Sequence, residues 1–264
     1  MVLRKVLMLH GYSQNAAMFS KRMGAIRKAC GKDIDFVFLD APHILQPVDI
    51  GSSLSDLSAP EASSSSGDPA DIPRAWWKSN AEKTKCFGME ETLDVLKGAL
   101  SRERYDGVFG FSQGAALAAF LSALLERPHL YQPFLTNGQP PHPPMKFCVA
   151  VSGFKIRDPL WAEIMSPTYS TPTLHVAGTN DVIVVHERTQ MLLDVSANKR
   201  VEYHDGGHFV PSKASFRNFF RDYLRDPFGD IPSPGSAPGA SLEPPSGIAT
   251  PVEVNSMAST AHRL

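Results

Sequence analysis

The sequence predicts an α/β fold: a mostly parallel central sheet with helices on both faces. Three observations carry that expectation. Short apolar runs alternate with amphipathic stretches along most of the 264 residues. The runs lack strict in–out alternation, as strands buried on both faces do. Several of them end in turns that open into the next helix, and in such sheets ligands gather at the carboxyl ends of the strands.

Each element has its own signal. Residues 5–9 (KVLML) form an apolar run that stops at His10-Gly11, a buried strand followed by a turn. Over 18–30, Phe19, Met23, Ile26 and Cys30 recur at helical spacing. Residues 34–39 (IDFVFL) are strand-like, and 90–104 predicts a helix with Leu93, Leu96 and Leu100 on one side. Residues 105–111 run as a strand into Ser112, and 113–125, rich in Ala and Leu, follow as a helix. Three more strands are expected at 147–152, 173–177 and 200–204, with helices over 185–195 and 212–224.

Two stretches break the pattern. Residues 49–72 are serine-rich, with four serines in a row at 63–66, and predict a flexible insertion. Residues 227–264 are dominated by Pro, Ser, Gly and Ala and keep no apolar periodicity, which predicts a disordered tail behind a domain spanning 1–226.

Bulk properties narrow the function. The chain is 42% hydrophobic and 20% charged, with a formal net charge of −1. That composition suits a globular domain and offers no basic surface for nucleic acid. Cys30, Cys86 and Cys148 are odd in number and widely spaced, which points to a reduced intracellular protein rather than a disulfide framework. The N-terminal apolar run is too short for a signal peptide, and no stretch reaches the length of a membrane span. A cytosolic protein acting on a small molecule is expected.

Gly110-Phe111-Ser112-Gln113-Gly114 matches G-x-S-x-G, the nucleophile elbow. A serine held at a sharp strand-to-helix turn projects its hydroxyl out of the sheet. The flanking glycines let strand and helix pass closely. The plainer reading is a serine capping a helix after a glycine-rich turn. A serine also needs a base, and the base a group to orient it.

In this elbow architecture the acid and then the histidine follow the serine along the chain. The strand at 173–177 leads to Asp181 and the strand at 200–204 leads to His208, each in a loop before a helix. Asp181 can instead cap the next helix, and Asp205 is a rival acid three residues from His208. Among the other histidines, His175 lies within a strand and suits the core. No two histidines stand at i, i+4 on an expected helix as in a zinc helix, since His204 ends a strand and His208 lies in the loop after it, so no metal site is expected. The backbone N–H groups of Tyr12, after the first strand, and of Gln113 are the candidate oxyanion donors. Trp76 and Trp77, with Phe154, either wall an apolar pocket or pack the insertion onto the body.

Taken together, LHGY (Leu9–Tyr12), DAPH (Asp40–His43), RAWW (Arg74–Trp77), GFSQGA (Gly110–Ala115), VSGF (Val151–Phe154), GTND (Gly178–Asp181) and GGHFVP (Gly207–Pro211) resemble the FSH group of eukaryotic serine hydrolases. That group includes fungal esterases, a tumour-associated esterase and the thioesterase of lovastatin biosynthesis. The resemblance implies the α/β-hydrolase fold, no cofactor, and a catalytic triad of Ser112, Asp181 and His208. It also implies an ester or thioester substrate with an apolar acyl chain. The leading expectation is a carboxylic ester hydrolase. One alternative is a thioesterase that releases a polyketide or fatty acyl chain from an acyl carrier protein. Another is a non-catalytic binding protein on the same fold.

Overall fold

The computed structural model describes residues 3–46 and 72–235. In chain order the elements are β1 (Arg4–Leu9), α1 (Ala16–Arg22), α2 (Gly24–Cys30), β2 (Ile34–Leu39), β3 (His43–Ile44), β4 (Arg74–Ala75), β5 (Lys78–Ser79) and β6 (Cys86–Phe87). Then come α3 (Met89–Arg102), β7 (Gly107–Phe111), α4 (Gln113–Glu126), β8 (Phe147–Val151), α5 (Pro159–Ala162), β9 (Thr173–Gly178), α6 (His186–Asp194), β10 (Lys199–His204) and α7 (Ala214–Arg225).

Six strands form one parallel sheet in the order β10-β9-β8-β7-β1-β2. From β1 the chain steps outward to β2, returns past β1 to β7, and then runs outward the other way. The direction of winding therefore reverses between β1 and β7. Beyond their carboxyl ends lies the crevice where such sheets bind ligands.

Successive strand residues serve opposite faces, and both faces are apolar. Leu7, Leu9 and Val108 join one core with α3 and α4, while Val6, Met8, Phe109 and Phe111 join another with α1, α2 and α7. Helix α4 is buried at every position from Gln113 to Leu125. An all-round apolar helix of this kind belongs inside the protein.

The sequence departs from expectation in detail. The helix expected over 18–30 is two helices, parted at Met23, whose ψ of 0° turns the chain. Gly24 follows directly, where a glycine weakens continuation of the helix. The expected insertion over 49–72 lies outside the described residues except for Ile72, whose carbonyl accepts from Asn15 Nδ2 at 3.0 Å. The tail expected from 227 is described as far as Gly235. Within it Ile231 packs on the second core, and Ser233 Oγ donates to Glu202 Oε1 at 2.9 Å.

Candidate active site

Ser112 joins β7 to α4 with φ 53° and ψ −116°, a conformation that costs an L-residue about 1–3 kcal/mol. Its surroundings impose it. The N–H of Ser112 donates to Val151 O at 2.9 Å, and its carbonyl accepts from Ala115 and Ala116, both at 3.0 Å. The glycines expected for close approach are needed for it. A Cβ on Gly110 would lie 2.1 Å from Gly114 O, and one on Gly114 would lie 2.1 Å from Leu9 O. Each clash is with backbone, which cannot swing aside.

Asp181 and His208 leave β9 and β10, and their loops are fastened together. Thr179 N donates to His204 O at 2.9 Å, Asn180 N to Gly206 O at 3.1 Å, and Asn180 Nδ2 to Asp205 O at 2.8 Å. The three expected residues meet: His208 Nε2 lies 2.8 Å from Ser112 Oγ, and His208 Nδ1 lies 2.8 Å from Asp181 Oδ2. Phe111 supports the imidazole, with ring centroids 5.0 Å apart.

Burial alone would raise the Asp181 carboxyl. The hydrogen bond and charge of His208, the Val184 N–H and the Ser152 hydroxyl outweigh it and hold the group below its ordinary value. Asp181 is thus a carboxylate, an acceptor only. Its Oδ1 takes the N–H groups of Ile183 at 3.0 Å and Val184 at 2.8 Å, leaving Oδ2 for the ring. The imidazole then carries its proton on Nδ1 and turns a lone pair on Nε2 toward Ser112.

Asp205, the rival acid, is exposed and paired with Lys213 Nζ at 2.7 Å rather than with His208. His175 is buried within β9, where burial pushes its imidazole down to about 3. Among the described residues no group of His, Cys, Asp or Glu is arranged to hold a metal ion, and no helix is long and apolar enough to cross a membrane.

Leu9 and Gly110 are paired in the β1–β7 register, so the turn holding Tyr12 runs beside the turn into Gln113. Gln113 is the first residue of α4, where geometry leaves its N–H without an intrahelical acceptor. Of the two readings left open for the tryptophans, Trp76 follows the packing one. Trp76 has no exposed surface and so walls no open pocket, and its indole Nε1 donates to His10 O at 2.8 Å. Trp77 is also buried and meets the Phe154 ring edge-on at 6.3 Å, while the Arg188 guanidinium lies over the Phe154 ring, 4.4 Å from its centroid.

Two contributors escape a linear reading. Ser152, at φ 50° just beyond β8, is buried close enough to Asp181 to favour its charged form slightly, although its hydroxyl completes no hydrogen bond. Its positive φ has no sequence signature beyond the following Gly153. The side chain of Gln113 bonds the backbone at 76 and 77, a contact between segments far apart in the chain.

A family model described as "Serine hydrolase (FSH1)" matches residues 1–220. The chain is 34% identical to the protein named Esterase OVCA2 of Bos taurus over 239 residues, covering 86% of this chain and 98% of that one. It is 32% identical to Esterase OVCA2 of Danio rerio, covering 84% and 96%. A Schizosaccharomyces pombe protein named dihydrofolate reductase is 32% identical over 227 residues, and the chain spans 46% of its length. Among solved structures, esterase PE8 superposes with a TM-score of 0.56 at 19% identity, covering 85% of this chain and 92% of that one. SOBER1 of Arabidopsis thaliana superposes at 0.52 and 15% identity, covering 84% and 97%. These two likenesses establish the α/β-hydrolase fold, and the model matched over residues 1–220 places the chain in the FSH1 serine hydrolase family.

Proposed function

We propose that this serine ester hydrolase cleaves a carboxylic ester of an apolar acyl chain, with Ser112 as nucleophile, His208 as general base and Asp181 as the acid that orients it. One observation carries the reading: an unbroken relay from carboxylate through imidazole to hydroxyl, with 2.8 Å at each link. Ser112 Oγ attacks the ester carbonyl as Nε2 takes its proton, and Asp181 stabilises the imidazolium. The oxyanion of the tetrahedral intermediate rests on the N–H groups of Tyr12 and Gln113. His208 returns the proton to the departing alcohol, and a water activated by the same nitrogen releases the acid from Ser112.

The apolar acyl preference rests on the side chains beside the triad. Val182 and Val185 flank the Asp181 loop and Phe209 follows His208, and all three are exposed. The unpaired cysteines support a reducing, cytosolic setting. A matched series of esters and thioesters of rising acyl length tests the substrate reading, with an acyl carrier thioester as the competing outcome.

A fluorophosphonate probe tests the assignment directly. The wild type should be labelled and Ser112→Ala should not, with ester turnover falling on the order of 10⁴-fold or more. Equal labelling of the two proteins would refute the assignment of the nucleophile.

A further inference from the structure

We propose that Trp76, His10 and the side chain of Gln113 form one brace that aims both oxyanion-binding N–H groups, making them positioning residues for the reaction. The inference rests on the reading above, in which the amides of Tyr12 and Gln113 receive the oxyanion.

The brace begins on Gln113. Its Oε1 accepts from Trp76 N at 2.9 Å, and its Nε2 donates to Trp77 O at 2.8 Å. A single side-chain amide thereby takes the N–H of Trp76 and the carbonyl of Trp77, tying both residues to the start of α4. The indole carries the connection onward, since Nε1 donates to His10 O at 2.8 Å. The indole and the His10 ring also touch, tilted by 33° with centroids 5.0 Å apart.

The final link is His10. Ala41 N donates to its Nε2 at 3.1 Å, so the ring proton must sit on Nδ1, which then donates to Gly11 O at 2.8 Å. That carbonyl belongs to the peptide whose N–H is that of Tyr12. A trans peptide is planar, with C=O and N–H pointing opposite ways. Fixing the direction of Gly11 O therefore fixes the direction in which the Tyr12 N–H points. The His10 ring is sealed from solvent, and burial pushes its pKa down to about 4, which keeps this pattern of one donor and one acceptor at neutral pH.

At the other end, Ser112 O is tied to the N–H groups of Ala115 and Ala116, so the Gln113 N–H is aimed out of the helix by the same rule. The two donors lie on the turn after β1 and at the start of α4, 101 residues apart in number, and the hydrogen bonds 113–76–10–11 span the gap. The RAWW segment thus serves the oxyanion site from behind, within the core, rather than the acyl pocket.

Trp76→Phe keeps an aromatic ring and deletes the indole N–H, and Gln113→Met deletes both side-chain bonds at similar volume. In each variant kcat for ester hydrolysis should fall about tenfold to a hundredfold, with KM changed less than threefold. Affinity for a trifluoromethyl ketone, which mimics the tetrahedral oxyanion, should fall by the same factor as kcat. The double variant should lose less than the product of the two single losses, because both cut one chain of bonds. Turnover per folded molecule equal to wild type in both variants, with only a lowered Tm, would overturn the brace and leave the triad intact. If Trp76→Phe does not fold, Gln113→Met alone decides between these outcomes. Fluorophosphonate labelling of wild-type Ser112, run alongside, separates a failed brace from a failed reading of the site.

Discussion

Replacing Asp181 by Asn changes one atom of the relay, and the structure dictates which way the new amide turns. Oδ1 of Asp181 is held by two backbone donors, Ile183 N at 3.0 Å and Val184 N at 2.8 Å. Only an oxygen satisfies them; turning the amide nitrogen there would forfeit two hydrogen bonds worth about 0.5–1.5 kcal/mol each and leave donors facing donors. The Asn NH₂ must therefore occupy the place of Oδ2, 2.8 Å from His208 Nδ1. As a donor it obliges Nδ1 to accept, which moves the ring proton to Nε2. Nε2 then meets Ser112 Oγ with an N–H instead of a lone pair, and the serine has nowhere to send its proton.

The expected loss in kcat is on the order of 10⁴, or about 5.5 kcal/mol of transition-state stabilisation, the scale seen when another triad is locked in the wrong tautomer. Asp181→Ala leaves the imidazole free to choose its tautomer, although it also strips the loop of its acceptor. It should keep more residual kcat than Asp181→Asn. Steady-state hydrolysis of a short p-nitrophenyl ester, normalised to folded protein by thermal unfolding, measures both. An Asn variant within tenfold of wild type, or one more active than the Ala variant, would refute the tautomer argument.

Further perturbations test the packing and the charge balance. Gly114→Ala places a methyl 2.1 Å from Leu9 O and 2.5 Å from His10 O, so it should cost about 1–3 kcal/mol or more and reduce kcat as the His10 turn shifts. Gly24→Ala meets nothing within 4 Å, and should be neutral or stabilising by up to about 1 kcal/mol when both variants are unfolded in urea. His10 and His175 are pushed by burial down to about 4 and about 3, so between pH 6.5 and 4 the unfolded chain binds protons that the folded protein refuses. Stability must therefore fall as pH drops through that window, by roughly 3 kcal/mol per histidine, with the lowered Asp181 carboxyl adding to the loss at still lower pH. Equal urea midpoints at pH 7 and pH 4.5 would contradict this, and His175→Leu should flatten the slope.

Much of the site was legible in the sequence because its signals are local. G-x-S-x-G puts the strained serine and the two glycines that its turn requires within five consecutive residues, although the backbone they approach includes Leu9 and Val151. The order Ser112, Asp181, His208 follows from strands ending on one edge of a parallel sheet. The sheet itself is readable because residues two apart share a strand face and residues three or four apart share a helix face. Where a local signal was equivocal, the expectation erred: the 18–30 pattern continues through Gly24 in hydrophobicity, while the backbone does not.

What tertiary structure alone decided was which loops touch. Asp205 and Asp181 are both plausible acids by sequence, and only the fold turns one toward His208 and leaves the other with Lys213. Trp76 reads equally as pocket wall or packing until its indole is seen on His10 O, and Gln113 has no sequence signal for a side chain that binds residues 76 and 77. Those contacts exist because the winding reverses between β1 and β7, bringing the ends of two strands a hundred residues apart in number side by side. Periodicity records the face a residue presents, but the neighbour it meets there is set by strand order, which is a property of the whole chain.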